Sequence, residues 1–290
     1  EQKNVVCRLR GTISYDVLSI NIGSASPIVD GKMPSESLAV KPISSFQIGF
    51  EALLQKLTSS QMAKRIGVVG AGAAGAELIL AIQERLKGLN KSNEKPRHSY
   101  HLVTSADEIL TEHPQRTRDL YGQELERCGV ELFTNFDVSK VEDTTLYSKD
   151  GTMIVFDIVL WATGARAPKW LSTSKLNTTP EGFIRVLPTL ESENVPHVFA
   201  TGDIAHVDRF PRPKSGVFAV RQGPPLAKNL RRALQNKTLK PFRPQRSALA
   251  IISLGEKRAI ASHPLFTFKG TWVWQYKNFI DRRFIKKYQK

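Results

Sequence analysis

Six residues, Gly70-Ala71-Gly72-Ala73-Ala74-Gly75, have the types and spacing of a turn that binds phosphate. Anion binding needs backbone N–H groups that approach oxygen closely, and glycine removes the Cβ that would hold them apart. In a GxGxxG spacing the first glycine makes the tight turn, the second admits a pyrophosphate, and the third lets the next helix pack on the strand. The anion then rests on unpaired N–H groups at the positive end of that helix. Alone, the motif is also what ordinary small-residue packing would look like. Its setting favours the ligand: residues 65–69 read as a strand, and residues 73–86 as a helix with Ala76, Ile79, Leu80 and Ile82 at apolar positions. An acid at the end of the next strand would hold ribose hydroxyls. Thr104-Ser105 stand there instead, with Asp107 and Glu108 a little later and no Arg to meet a 2′-phosphate, so the sequence leaves that choice open.

A second group with chemistry is Gly202-Asp203. A carboxylate at the end of a buried strand is an acceptor for two hydroxyl donors. A turn or helix cap is the plainer alternative. Glu77 follows the glycine turn directly, and an acid in a first helical turn also suits the helix dipole. Backbone N–H groups at Val217, Phe218 and Ala219, where another helix begins, are able to stabilise negative charge, or are simply a helix start.

These residues need a scaffold, and the chain supplies one. Three apolar runs end in small-residue turns, at residues 15–24, 156–165 and 195–203. Short continuous apolar runs suit buried strands of a parallel sheet. Between the first two lies a βαβ pattern: strand 65–69, helix 73–86, strand 100–103, helix 115–127 and strand 130–133. Short segments then alternate up to residue 154, with Asp150-Gly151 as a hairpin turn. A helix over about 214–234, a Pro-rich hinge at 241–244 and a hairpin of strands 248–253 and 258–262 follow. Lys41-Pro42 reads as a crossover strand or hinge without chemistry.

The 290 residues suffice for two domains of ordinary size or one large one, and 41% hydrophobic with 24% charged residues suits a globular protein. No run approaches the roughly 20 apolar residues that span a bilayer. The polar start Glu1-Gln2-Lys3-Asn4 is not a signal peptide, and without a Met it is expected to be a fragment or a processed end. The expected location is the cytoplasm or an organellar interior. Cys7 and Cys128 form no CxxC pair and no Cys/His cluster has ligand spacing, so no metal site is expected. The net charge of +15 is scattered, with modest clusters at 221–232 and 282–290, and reads as solvated basic faces rather than a nucleic-acid surface. The tail over 272–290 interleaves aromatic and basic residues. It suits a helix packed on its own domain or on a fused partner, the preferred reading, or one in peripheral contact with an anionic membrane.

Taken in order, Gly70 to Gly75, Ala162-Thr163-Gly164 and Thr201-Gly202-Asp203 resemble the pyridine nucleotide-disulfide oxidoreductase superfamily. Within it the chain is similar to the type II NADH dehydrogenase branch, and most to the flavoprotein region fused ahead of selenide, water dikinase. The residues carrying this are Leu160-Trp161-Ala162-Thr163-Gly164-Ala165, residues 214–226, and Trp274 with Asp281-Arg282-Arg283-Phe284. The resemblance implies an α/β fold of two Rossmann-like domains, an NAD(P)-binding domain (41–165) inserted into an FAD-binding domain (1–40 and 166–244). A small C-terminal α+β segment (245–290) would follow. The FAD domain is expected to be incomplete, since no GxGxxG precedes Val5.

The implied cofactors are FAD and NAD(P)H, and the implied reaction is hydride transfer from nicotinamide to flavin and on to an acceptor. Gly70, Gly72 and Gly75 would bind the nicotinamide nucleotide, with Thr163 and Gly164 at the exit of the insertion. Gly202 and Asp203 would hold the flavin ribityl chain, and Val217, Phe218 and Ala219 its pyrimidine edge. Glu77 would lie beside nicotinamide and flavin. Two departures narrow the reaction. His263-Pro264 lacks the following Glu of disulfide reductases, which argues against disulfide reduction. Gly216-Val217 and Arg221 stand where quinone reductases carry Ala-Gln and Gln, which argues against a quinone and leaves another small-molecule acceptor. The competing class is a redox-inactive nucleotide-binding regulatory module associated with selenophosphate synthesis, with a selenide, water dikinase domain as its partner.

Overall fold

The computed structural model describes residues 3–7, 9–27, 36–60, 62–89 and 98–289. Glu1, Gln2 and Lys290, named above, lie outside these. Along the chain run β1 (Asn4–Cys7), β2 (Gly11–Ser14), β3 (Leu18–Ile20), β4 (Ser37–Ala39), α1 (Ile43–Ser59), β5 (Arg65–Val69), α2 (Ala73–Leu89), β6 (Ser99–Val103), α3 (Gln115–Arg127) and β7 (Val130–Phe133). Next come β8 (Val138–Glu142), β9 (Thr145–Ser148), β10 (Met153–Val155), β11 (Ile158–Trp161), β12 (Ile184–Arg185), β13 (Val198–Ala200) and β14 (Ala205–His206). The last elements are α4 (Gly216–Leu234), β15 (Ala250–Gly255), β16 (Arg258–His263), β17 (Phe266–Gly270) and α5 (Thr271–Tyr288). The chain divides into two units, Glu1–Ala25 with Ala165–Arg246, and Ser26–Gly164 with Ser247–Lys290.

The larger unit is built on a parallel sheet of five strands in the order β4-β11-β5-β6-β7. Its central strands carry continuous apolar runs because both faces are covered. All four residues of β11 are buried, and so are four of the five in β5. Helix α2 lays Ala76, Ile79, Leu80, Ile82 and Leu86 into the core at helical spacing. Each buried Ile or Leu contributes about 1.5–3 kcal/mol. Lys41-Pro42, expected as a strand or hinge, instead opens a 17-residue helix: Pro42 is the N-cap of α1. Residues Phe46, Phe50, Leu53, Leu54 and Leu57 of α1 recur every three or four positions and pack on the same core. Strand β4 pairs with β11, so this sheet takes in residues before position 41.

The expected hairpin after residue 245 is present as β15 and β16, and a third strand, β17, joins its edge. Thr267 is buried between exposed Phe266 and Phe268, the alternation of a half-covered strand. Ala259 and Ala261 pack with Val273 of α5. The first part of α5 is thereby seated on the sheet, whereas residues 279–289 are exposed.

In the smaller unit β3 pairs in parallel with β13, and β12 with β14. Ile20, Leu171, Phe183, Ile184, Val198, Ala200 and Ile204 form its core. Pro224 and Pro225 lie inside α4 and cost it two ladder hydrogen bonds. Buried Asn229 compensates by tying the helix to its surroundings: its amide donates to Thr189 O and Lys240 O, both at 2.8 Å, and its Oδ1 accepts from Lys240 N–H at 2.9 Å. These bonds anchor the residue that precedes the Pro-rich stretch 241–244.

Candidate functional site

In the larger unit the glycine turn joins β5 to α2, as its spacing predicts. Gly70 has φ +107, and a Cβ there would lie 2.5 Å from Ala162 O. A Cβ on Gly75 would lie 1.8 Å from Gly70 O. These two glycines permit contacts that any side chain would break. Gly72 differs: nothing stands within 4 Å of where its Cβ would be. Open space beside the middle glycine, at the N-terminus of a 17-residue helix, is what a pyrophosphate requires. Ala162-Thr163 lies directly against Gly70, so the structure brings the expected strand exit and the glycine turn together. The Thr163 hydroxyl donates to Pro27 O at 3.2 Å, and Gly164 has open space around it.

The loop after β6 is held in ways the sequence did not reveal. Leu110 N–H donates to Ala71 O at 2.9 Å, pinning the loop to the glycine turn. Glu108 pairs with Arg118 at 2.6 Å, which commits that acid. Ala106 N–H donates to Thr104 Oγ1 at 3.2 Å.

Glu77 projects from the first part of α2 toward the C-terminal sheet, where its Oε1 accepts from Ser253 N–H at 2.6 Å. Tyr121 OH donates to Ser253 O at 3.0 Å, so side chains from α2 and α3 hold both backbone polar groups of this residue at the bulge in β15. Burial pushes the Glu77 carboxyl above the ordinary carboxylate range, against the opposing pull of Ser253 N–H and Lys277.

In the smaller unit Asp203 follows β13 as expected, and its Oδ2 accepts from Ser24 Oγ at 2.9 Å. Gly202 has φ +73, a backbone that favours glycine, and its N–H donates to Gln222 Oε1 at 2.7 Å. A Cβ there would lie 2.7 Å from Asn21 Oδ1. Helix α4 begins after Ser215, and Ala219 N–H already donates to Ser215 O at 3.1 Å. That closes the first turn and takes Ala219 out of the expected trio of donors. Gly216, Val217 and Phe218 keep N–H groups with no partner in the helix. Gly202, Asp203, Ser215, Phe218, Ala219 and Gln222 line one cavity. Lys214, which sequence reasoning did not single out, lines it too.

Among the described residues no group of three or more His, Cys, Asp or Glu side chains is placed to hold a metal ion. A model of the family described as pyridine nucleotide-disulphide oxidoreductase matches residues 2–223.

The chain belongs to this family. Pyridine nucleotide-disulphide oxidoreductases are enzymes that use FAD and NAD(P)H. The NADH dehydrogenase-like protein YutJ of Bacillus subtilis is 25% identical over 288 residues, covering 96% of this chain and 76% of the relative. The type II NADH:quinone oxidoreductase of Haemophilus influenzae is 27% identical over 209 residues, covering 68% of this chain and 46% of the relative. Among solved structures, the sulfide:quinone oxidoreductase of Aquifex aeolicus superposes with a TM-score of 0.78 at 16% identity, over 99% of this chain and 72% of that one. That last likeness shows the α/β fold. The chain spans from under half to about three quarters of the length of these proteins.

Proposed function

We propose that the chain carries the nicotinamide-nucleotide and flavin-binding parts of an NADH dehydrogenase-like oxidoreductase. The observation behind this is that each unit carries one of the expected features. One has open space at Gly72 before α2. The other has Asp203 on the cavity that also receives the start of α4. When bound, the nicotinamide supplies a hydride and the FAD ring accepts it. Gly72 and the unpaired N–H groups at the start of α2 would meet the nucleotide pyrophosphate, while Gly70, whose N–H is spent on Val103 O, and Gly75 let the turn close beneath it. The Asp203 carboxylate accepts from ribityl hydroxyls, and the N–H groups of Val217 and Phe218 stabilise negative charge on the flavin's pyrimidine edge. Glu77 keeps Oε1 on Ser253 N–H, and we assign its other oxygen to the nicotinamide.

Electrons then pass to a small acceptor. Relatives named as quinone oxidoreductases support a quinone-like one. Exposed Val217 and Arg221 weigh against a quinone hydrogen-bonded by α4. Turnover with a short-chain quinone, a one-electron dye and dioxygen ranks the acceptors directly. No helix among the described residues is long and apolar enough to cross a membrane. The exposed part of α5 carries Phe279, Phe284 and Ile285 among Arg282, Arg283, Lys286 and Lys287. It is suited to peripheral contact with an anionic bilayer surface. Association with a selenide, water dikinase domain rests only on the resemblance of residues 160–165, residues 214–226 and Trp274 with Asp281-Arg282-Arg283-Phe284, and co-purification with such a domain tests it.

Separate titrations test the two cradles. NADH binding is expected to fall in a Gly72 variant with FAD binding kept, and FAD binding to fall in an Asp203 variant with NADH binding kept. Loss of both ligands in either variant would contradict two separate cradles.

A further inference from the structure

Lys214 stands immediately before the N-cap of α4, and its ammonium is turned inward rather than into water. It donates to Ala205 O at 2.5 Å and lies 4.2 Å from the centre of the Phe183 ring. Ala205 is the first residue of β14, two positions after Asp203. One side chain therefore joins the start of α4 to the backbone that follows Asp203. Both ends of this link line the same cavity as Asp203, Ser215 and Phe218.

We propose that Lys214 is a positioning residue of the flavin site: while charged, it fastens the start of α4 to the Asp203 segment and so holds the two halves of the flavin cradle at their working spacing. This rests on the flavin reading given above. The link depends on charge in two ways. An ammonium over a ring face is held by the ring quadrupole, which a neutral amine is not. A charge-assisted hydrogen bond to a carbonyl is also stronger than a neutral one. Burial lowers the Lys214 pKa to about 8, with the carboxylates of Asp203 and Glu181 pulling it back up. His206 and Arg212 are the other ionisable groups lining the cavity. The physiological range therefore lies on the charged side of this latch, and mild alkali releases it.

The experiment is FAD binding by the full chain, followed by flavin fluorescence from pH 6.5 to 9.5, for the wild type, Lys214→Met and Lys214→Arg. Wild-type affinity is expected to fall about tenfold on raising the pH through about 8, as one lost charge-assisted contact implies. Lys214→Met should bind weakly at every pH with that transition gone. Lys214→Arg, which keeps its charge throughout the range, should stay tight at pH 9. A wild type whose affinity is flat with pH, or a Lys214→Met protein that retains the transition, would overturn the role of Lys214 alone. A wild type that binds no FAD at any pH would overturn the flavin assignment and Lys214's role with it.

Discussion

Glu77 Oε1 accepts a hydrogen bond from Ser253 N–H at 2.6 Å, across 176 positions of sequence. The acid that follows the glycine turn is thus a clamp on the C-terminal sheet. Gln at this position keeps an oxygen for Ser253 and removes the charge, whereas Ala removes both. Glu77→Ala is expected to lose about 1–3 kcal/mol of stability for the orphaned N–H. Glu77→Gln should fold well but reduce flavin more slowly with NADH. The two effects separate in urea melts and rapid-mixing kinetics. Because the folded pKa of Glu77 is raised, its titration favours folding at low pH and that contribution is lost as pH rises. The stability of Glu77→Gln relative to the wild type should therefore climb with pH above the ordinary carboxylate value.

Glu124 on α3 should make the larger unit sensitive to acid. Its side chain is 1% exposed and pairs with Arg127 and Arg258 at 2.6 Å and Lys269 at 3.0 Å. Burial works to raise its pKa, but Arg258, Arg127 and Lys269 together outweigh this and hold it at about 2. A depressed carboxylate stabilises the fold above its unfolded pKa and loses that effect as pH falls toward 2. Glu124→Gln should cost about 3 kcal/mol, the low end for a broken buried pair because its cations are partly exposed. It should also flatten the fall in wild-type stability between roughly pH 4 and pH 2. Denaturant melts across that range give both numbers.

Gly72→Ala and Gly75→Ala should behave oppositely. A Cβ on Gly75 collides with Gly70 O, so that variant is expected to unfold or to lose several °C of Tm. A Cβ on Gly72 meets nothing in the protein, so Tm should hold while NADH affinity drops about tenfold or more. Equal melting temperatures for the two variants would show that the turn is not built this way.

Part of this was readable before any coordinates. The glycine turn, Ala162-Thr163 and Gly202-Asp203 announce themselves because close backbone approach and strand-end chemistry demand particular residues at fixed spacing. Helix α1 was obscured by Lys41-Pro42, which reads locally as a break although Pro is well placed before a first helical turn. Strand β17 was hidden behind Pro264 and carries only a short alternation. The partners of Glu77, Ser24 and Lys214 are non-local, and no periodicity reports a hydrogen bond to a distant peptide. Ala219 looked like a free donor because sequence shows where a helix starts only to within a residue or two.

The exposed end of α5 should decide membrane contact. Flotation with vesicles containing anionic lipid is expected to carry the wild type upward, and Arg282→Glu with Arg283→Glu should weaken it at least tenfold, with less effect on neutral vesicles. Equal recovery of both proteins would remove the bilayer from the account.

The central claim is that this chain passes a hydride from a nicotinamide nucleotide to FAD. An anaerobic titration of the FAD-loaded protein with NADH and with NADPH tests it most directly. The flavin band at about 450 nm is expected to bleach with one equivalent of at least one of them. A flavin band that neither nucleotide diminishes would contradict it.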